Sequence, residues 1–186
     1  MSFKICTIGC GSMATYGHGP SYKKYADLNP DVELTACCDL VEEKAKEFMQ
    51  KFGFKKYYTD MDKMLDTEKP DAVCLVAPVN LTMPLSVKII EKGYPLIMEK
   101  PPGLNREETL KMIEVAEKYN IPNQVAFNRR YTPIITEGYN ILIPFKPEEI
   151  ENIRYDFYRV GRKDEDFSTT TIHAIDTVKF LARSEY

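Results

Sequence analysis

The spacing of apolar residues predicts alternating strands and helices over the first two thirds of the chain. Phe3–Ile8 and Val32–Cys38 are short β-prone runs separated by a stretch long enough for one helix, the arrangement of a β-α-β unit. After Asp39, apolar side chains recur at Val41, Ala45, Phe48, Met49 and Phe52, one face of a 3.6-residue period, and Gly53 supplies a stop. Asp71–Pro78 is almost continuously apolar, as expected of a strand covered on both faces of a parallel sheet. A helix is predicted over Leu81–Lys92, ending at Gly93, and a strand over Tyr94–Lys100. Asn105 with Glu108 three residues on has capping-box spacing, and Leu110, Ile113, Ala116 and Tyr119 form the predicted apolar stripe of the helix that follows. Pro122–Phe127 closes the series as a further strand.

This alternation predicts an α/β protein with a Rossmann-type, doubly wound parallel sheet over residues 1–123. Residues 124–186 read differently. A helix near Pro133–Leu142, one alternating strand Ile153–Val160, a charged loop Arg162–Asp166 and a helix from Thr170 to Ala182 suggest the start of an α+β substrate domain. One strand is not a sheet, so this second domain is expected to be incomplete, with the strand edge met by another chain or by further sequence.

Composition narrows the function classes. With 25 Lys and Arg against 28 Asp and Glu, the net charge of −3 leaves no cationic footprint for nucleic acid. The longest apolar run, Ala72–Val79, is far below the roughly 18 residues of a membrane span, and the N-terminus lacks a signal-like apolar stretch, so a cytoplasmic protein is expected. Five cysteines without paired C-x-x-C spacing indicate neither a disulfide framework nor a metal site, and four of them fall in predicted strands as small apolar residues.

The candidate chemistry begins at Gly9-Cys10-Gly11-Ser12-Met13-Ala14, a G-x-G-x-x-A turn between a strand and a helix. In a dinucleotide site Gly9 makes the turn, Gly11 lets the backbone approach a pyrophosphate, Ala14 keeps the helix close to the sheet, and the helix start at Ser12 and Met13 offers N–H groups to the anion. The alternative is a tight turn that binds nothing. Asp39, at the end of the second strand, is placed to accept hydrogen bonds from ribose hydroxyls, or else caps a helix. Leu40 and Val41 offer no cation for a 2′-phosphate, which favours NAD, while Lys44 and Lys46 leave NADP open. Glu99-Lys100-Pro101 follows a strand at the sheet edge where ligands bind, although a strand-end lysine is ordinarily just solvated. His18 has no evident partner and receives no role.

Together with Ala77-Pro78, Phe127-Asn128-Arg129-Arg130-Tyr131-Thr132-Pro133 and His173-Ala174-Ile175-Asp176, these motifs occur in the order of the glucose-fructose oxidoreductase and inositol dehydrogenase (Gfo/Idh/MocA) family, which the chain resembles along nearly its whole length. The resemblance implies a hydride transfer between NAD(P) and a sugar or polyol. It implies that Lys100 orients and polarises the substrate oxygen and that His173 moves its proton. Pro78, Glu99 and Pro101 would join the cofactor site, and Arg130 and Asp176 are weaker substrate candidates. A homo-oligomer built through the second domain's sheet is also implied. Two positions depart from the pattern: Thr169, one turn before His173, stands where many members carry Asp, and Thr82 stands where many carry His. Spacing alone allows His173 to be a packing residue on a helix with the stripe Ile172, Ile175, Val178 and Leu181. A non-catalytic cofactor-binding sensor or regulatory module, an inactive fragment of such an enzyme, and a Rossmann domain for another nucleotide such as S-adenosylmethionine are the alternatives.

Overall fold

The computed structural model describes residues 2–158, 160–161 and 168–184, with side chains from 171 onward in the last segment. The chain divides into two compact units, Met1–Ala126 and Phe127–Tyr186. The first is a six-stranded parallel sheet in the order β3-β2-β1-β4-β5-β6. Its strands are β1 (Phe3–Ile8), β2 (Val32–Cys38), β3 (Lys56–Tyr58), β4 (Ala72–Leu75), β5 (Leu96–Met98) and β6 (Asn123–Val125). Its helices are α1 (Gly19–Leu28), continuing a π-helical turn at Ala14–His18, then α2 (Glu42–Phe52), α3 (Met61–Glu68), α4 (Val79–Glu91) and α5 (Arg106–Tyr119).

The sheet separates two cores, one with Met64, Leu65, Ile89, Ile90 and Met112 from α3, α4 and α5, the other with Ala14, Phe48 and Phe52. In β2 the register against β1 slips between Ile5 and Cys6, so that Ile5 pairs Leu34 and Cys6 pairs Ala36. Thr35 is therefore an extra residue. It breaks the strict alternation and sends Leu34 and Cys37 to one core, Ala36 and Cys38 to the other. All five cysteines are free and buried, and burial pushes the thiols of Cys6 and Cys38 up to about 12 and Cys74 to about 11. These are apolar wall residues rather than nucleophiles.

β1 and β2 have the predicted bounds, and Gly53 ends α2 in the left-handed region at φ 81°. The strand predicted over Asp71–Pro78 is shorter, since only Ala72–Leu75 lies between partners on both sides. β3 and α3 were not predicted. β3 exists because Lys56–Tyr58 pair with β2, and α3 is capped by the Asp60 carboxylate, which accepts from the Lys63 N–H at 3.0 Å.

The predicted stripe of α5 holds at Ala116 and fails at its other three positions. Leu110 and Ile113 are 40% and 48% exposed and Tyr119 also faces outward, whereas Met112 enters the core with Val115 and Ala116 beside it. The cap holds in altered form: Asn105 accepts from the Glu108 N–H, but the Glu108 carboxylate accepts from Leu104 rather than from Asn105.

In the second unit, α6 spans Pro133–Leu142 and α7 spans Ser168–Ala182. The strand predicted over Ile153–Val160 is not formed among the described residues. Ile153, Tyr155 and Phe157 are half-buried and alternate with exposed Arg154, Asp156 and Tyr158, but among the described residues no neighbouring strand supplies the hydrogen bonds that would make a ladder. The charged loop predicted at Arg162–Asp166 lies outside the described residues. Of the stripe predicted for α7, Ile172, Val178 and Leu181 are half-buried but Ile175 is exposed, and the most buried positions are His173, Asp176 and Thr177. No helix among the described residues is long and apolar enough to cross a membrane.

Candidate active site at the carboxyl ends of the strands

Every strand of the parallel sheet delivers its C-terminal residues to the same edge, and the predicted cofactor residues sit there. Gly9 leaves β1 with φ 91°, and a β-carbon on it would lie 2.8 Å from the Val76 carbonyl carbon and closer still to its oxygen. Only glycine lets this loop cross the end of β4 so tightly. Gly11 is different, since a β-carbon there would meet nothing within 4 Å. Its side of the loop is open. The first turn of the helix that follows carries N–H groups without intrahelical acceptors, and Ala14 is fully buried on the sheet beneath it.

Asp39 ties this loop to β2. One carboxylate oxygen accepts from the Cys10 N–H at 2.8 Å and the other from the Val41 N–H at 2.9 Å. Each oxygen keeps a second lone pair for a ribose hydroxyl.

Gly11, Ser12, Met13, Val76, Ala77, Pro78, Glu99 and Lys100 line a cavity of about 290 Å³. The structure thus gathers six of the predicted site residues around one opening, with Gly9, Ala14 and Pro101 buried or half-buried behind it. The donor set fits an anionic dinucleotide: backbone N–H groups at a helix start, a lysine, and a carboxylate set back at the end of β2. Among the described residues no three His, Cys, Asp or Glu side chains gather as metal ligands.

Glu99 joins the cavity wall to the first helix. Its Oε1 lies 2.6 Å from His18 Nε2, and its Oε2 accepts from the Lys100 N–H at 3.2 Å. The other ring nitrogen of His18, Nδ1, is 2.8 Å from the Tyr22 hydroxyl. Burial works against ionisation of Glu99, but the bonds from His18 and Lys100 outweigh it and keep the carboxyl below its usual range. His18 was missed in the sequence because its partner is 81 positions away. A histidine beside the glycine turn on the sheet-facing side of a helix was the one available signal.

In the second unit, Asp176 and Arg130 find each other. Asp176 is buried and accepts from Arg130 Nε at 3.0 and 3.1 Å as well as from Nη2. The guanidinium lies 5.5 Å from the Phe127 ring and 5.4 Å from the Phe180 ring, and Phe180 stacks on Tyr139 at 4.5 Å. This packing occupies both side chains in tying α7 to α6 and to the turn before it. His173 is buried on the same face of α7, and its carbonyl accepts from the Thr177 hydroxyl at 2.7 Å. Lys100 and His173 belong to different units.

A family model described as an oxidoreductase family with an NAD-binding Rossmann fold matches residues 3–127. The chain belongs to the Gfo/Idh/MocA family. NAD, the cofactor favoured by the sequence, is the one in that family's description. Among curated relatives, the rhizopine catabolism protein MocA of Rhizobium meliloti is 29% identical over 70% of this chain and 39% of its own length. The D-glucoside 3-dehydrogenase of Escherichia coli is 28% identical over 69% of this chain and 35% of its own. The chain thus spans well under half of the relatives it matches. Among solved structures, an NAD-binding oxidoreductase from Klebsiella pneumoniae superposes with a TM-score of 0.70 at 26% identity, covering 77% of this chain and 39% of the other. The scyllo-inositol dehydrogenase of Lactobacillus casei, solved with NAD(H) and scyllo-inositol, gives 0.77 over 97% of this chain and 56% of its own; at 18% identity it speaks for the fold alone.

Of the two departures from the Gfo/Idh/MocA pattern, Thr82 is buried in α4 with its hydroxyl donating to the Pro78 carbonyl of its own first turn at 3.3 Å, and it does not line the cavity. Thr169 lies in α7, where its side chain is outside the described residues.

Proposed function

We propose that this chain carries the cofactor-binding part of an NAD(P)-dependent oxidoreductase acting on a hydroxyl or carbonyl group of a sugar or polyol. The observation that carries the reading is the cavity where Gly11, Ser12 and Met13 face Glu99 and Lys100. The substrate class comes from the relatives, which include a D-glucoside 3-dehydrogenase and myo- and scyllo-inositol 2-dehydrogenases.

Bound NAD(P) supplies the two-electron acceptor or donor, as cofactors do for hydride chemistry. The chain's own residues bind and orient. The backbone at Gly11, Ser12 and Met13 would hold the pyrophosphate, with Gly9 making the turn and Ala14 keeping the helix close to the sheet; Asp39 would accept from the adenosine ribose, and Pro78, Glu99 and Pro101 would shape the wall around Lys100. Asp39, with Leu40 and Val41 after it, favours NAD over NADP. The Lys100 ammonium polarises the reacting oxygen of the substrate. His173 takes up or returns that oxygen's proton, since an imidazole can both accept and donate one. Arg130 and Asp176, paired with each other, remain the weaker candidates for contact with the substrate. A cytoplasmic location and self-association through the second unit belong to the same reading.

Calorimetric titration with NAD, NADH and NADP tests it, and a folded protein that binds none of the three overturns it. Lys100→Ala then separates enzyme from sensor. An enzyme loses turnover while cofactor affinity stays within about threefold, whereas a sensor binds cofactor and has no turnover to lose. Thr169, in place of the family's Asp, is the observation that favours the sensor.

A further inference from the structure

We propose that His18 is a positioning residue for the candidate cofactor cavity, fastening Glu99, and through Glu99 the backbone of Lys100, to the first helix. This rests on reading that cavity as the cofactor site. The π-helical turn at Ala14–His18 closes with the Gly19 N–H donating to the Ala14 carbonyl, five residues back. Each residue of a helix advances about 100° around its axis, so one residue added by a π turn moves every later side chain round by that angle. In this chain the added residue coincides with the point where His18 and Tyr22 face the sheet edge.

The contacts are those of a clamp. His18 and Glu99 have side chains only 15% and 13% exposed, and the ring is held at both nitrogens, by the Glu99 carboxylate and by the Tyr22 hydroxyl. A phenol whose burial and neighbouring Cys74 and Glu99 push it far above its ordinary range stays protonated. It can donate to Nδ1, leaving Nε2–H to donate to the carboxylate. The titratable groups around the ring are Tyr22 on its own helix, Glu99 and Lys100 at the end of β5, and Cys74 of β4 beside the phenol. Since Glu99 and Lys100 line the cavity and His18 does not, His18 acts through them.

The test compares His18→Leu, His18→Gln and Glu99→Gln with the wild-type chain. NADH binding is read by fluorescence, and the acetylation rate of Lys100 under limiting acetic anhydride is read by mass spectrometry against the surface lysines at one pH. We expect His18→Leu to weaken NADH binding at least tenfold and to change the relative labelling of Lys100 at least threefold. His18→Gln, whose amide N–H replaces Nε2–H toward Glu99, should keep both within threefold. The proposal is overturned if the two His18 variants behave alike or if Lys100 labelling does not move. Should His18→Leu fail to fold, Glu99→Gln carries the test, with the same losses expected and unchanged binding and labelling overturning the proposal. A folded wild-type chain that does not bind NADH refutes the cofactor reading instead, and Lys100 labelling alone then decides the role of His18.

Discussion

Two glycines two residues apart in the same loop should fail in different ways when given a methyl group. Gly9→Ala places a β-carbon against the Val76 carbonyl, 2.8 Å from its carbon, at a backbone φ of 91°. The conformational penalty of positive φ for an L-residue is about 1–2 kcal/mol. Forcing apart a packed backbone costs roughly a further 1–3 kcal/mol. The expected loss is therefore about 2–5 kcal/mol, a large share of the 5–15 kcal/mol typical of a domain. Gly11→Ala meets nothing within 4 Å, so stability should be unchanged or raised by up to about 1 kcal/mol through the unfolded chain. Its methyl group instead occupies the open side of the loop, and NADH affinity should fall at least about tenfold, near 1.4 kcal/mol. The chain has no Trp, so urea unfolding is best followed by far-UV circular dichroism, with NADH binding measured separately. The reasoning is refuted if Gly9→Ala unfolds within about 0.5 kcal/mol of wild type, or if Gly11→Ala binds NADH as the wild type does.

Three further outcomes follow from the structure. Met112→Ala should cost about 2–5 kcal/mol, because it empties a core position, while Ile113→Ala, 48% exposed, should stay within about 0.5 kcal/mol in the same denaturation assay; equal costs would mean α5 packs on another face. Asp39→Ala removes the acceptor of two backbone N–H groups, so a loss of about 1.5–3 kcal/mol is expected together with weaker NADH binding by calorimetry. At Glu68, burial opposes ionisation but Tyr58 and Lys56 outweigh it and hold the folded carboxyl below its ordinary value of 4.5. Its contribution is therefore present above 4.5 and lost as pH falls through the lower folded value, and Glu68→Gln should flatten the acid limb of stability against pH without changing NADH binding at neutral pH.

What could be read from the chain was whatever its local signals encode. β1, β2, the stop at Gly53, the cap at Asn105 and the G-x-G-x-x-A turn each rest on residues close in sequence, and each stands at or near its predicted place. α5 was placed correctly, but of its predicted stripe only Ala116 meets the core, because its polar and apolar residues allow more than one face and packing in the folded unit buries Met112 instead. β3 was invisible, since three residues rich in Lys and Tyr become a strand only through pairing with β2. The reverse happened at Ile153–Tyr158, where the alternation is present and no partner among the described residues converts it into a strand.

The sequence by itself determined the parallel sheet, the glycine turn with its acid at Asp39, and the lysine at the end of β5, because strand periodicity, backbone freedom and side-chain type are properties of short segments. The tertiary structure decided what those segments do to one another. It brought His18 to Glu99 across 81 positions, spent Asp39 on the loop as well as on any ligand, and bound Asp176 to Arg130. The physical reason is the same in each case: a buried polar group takes the partner that folding places beside it, and no pattern within its own segment names that partner.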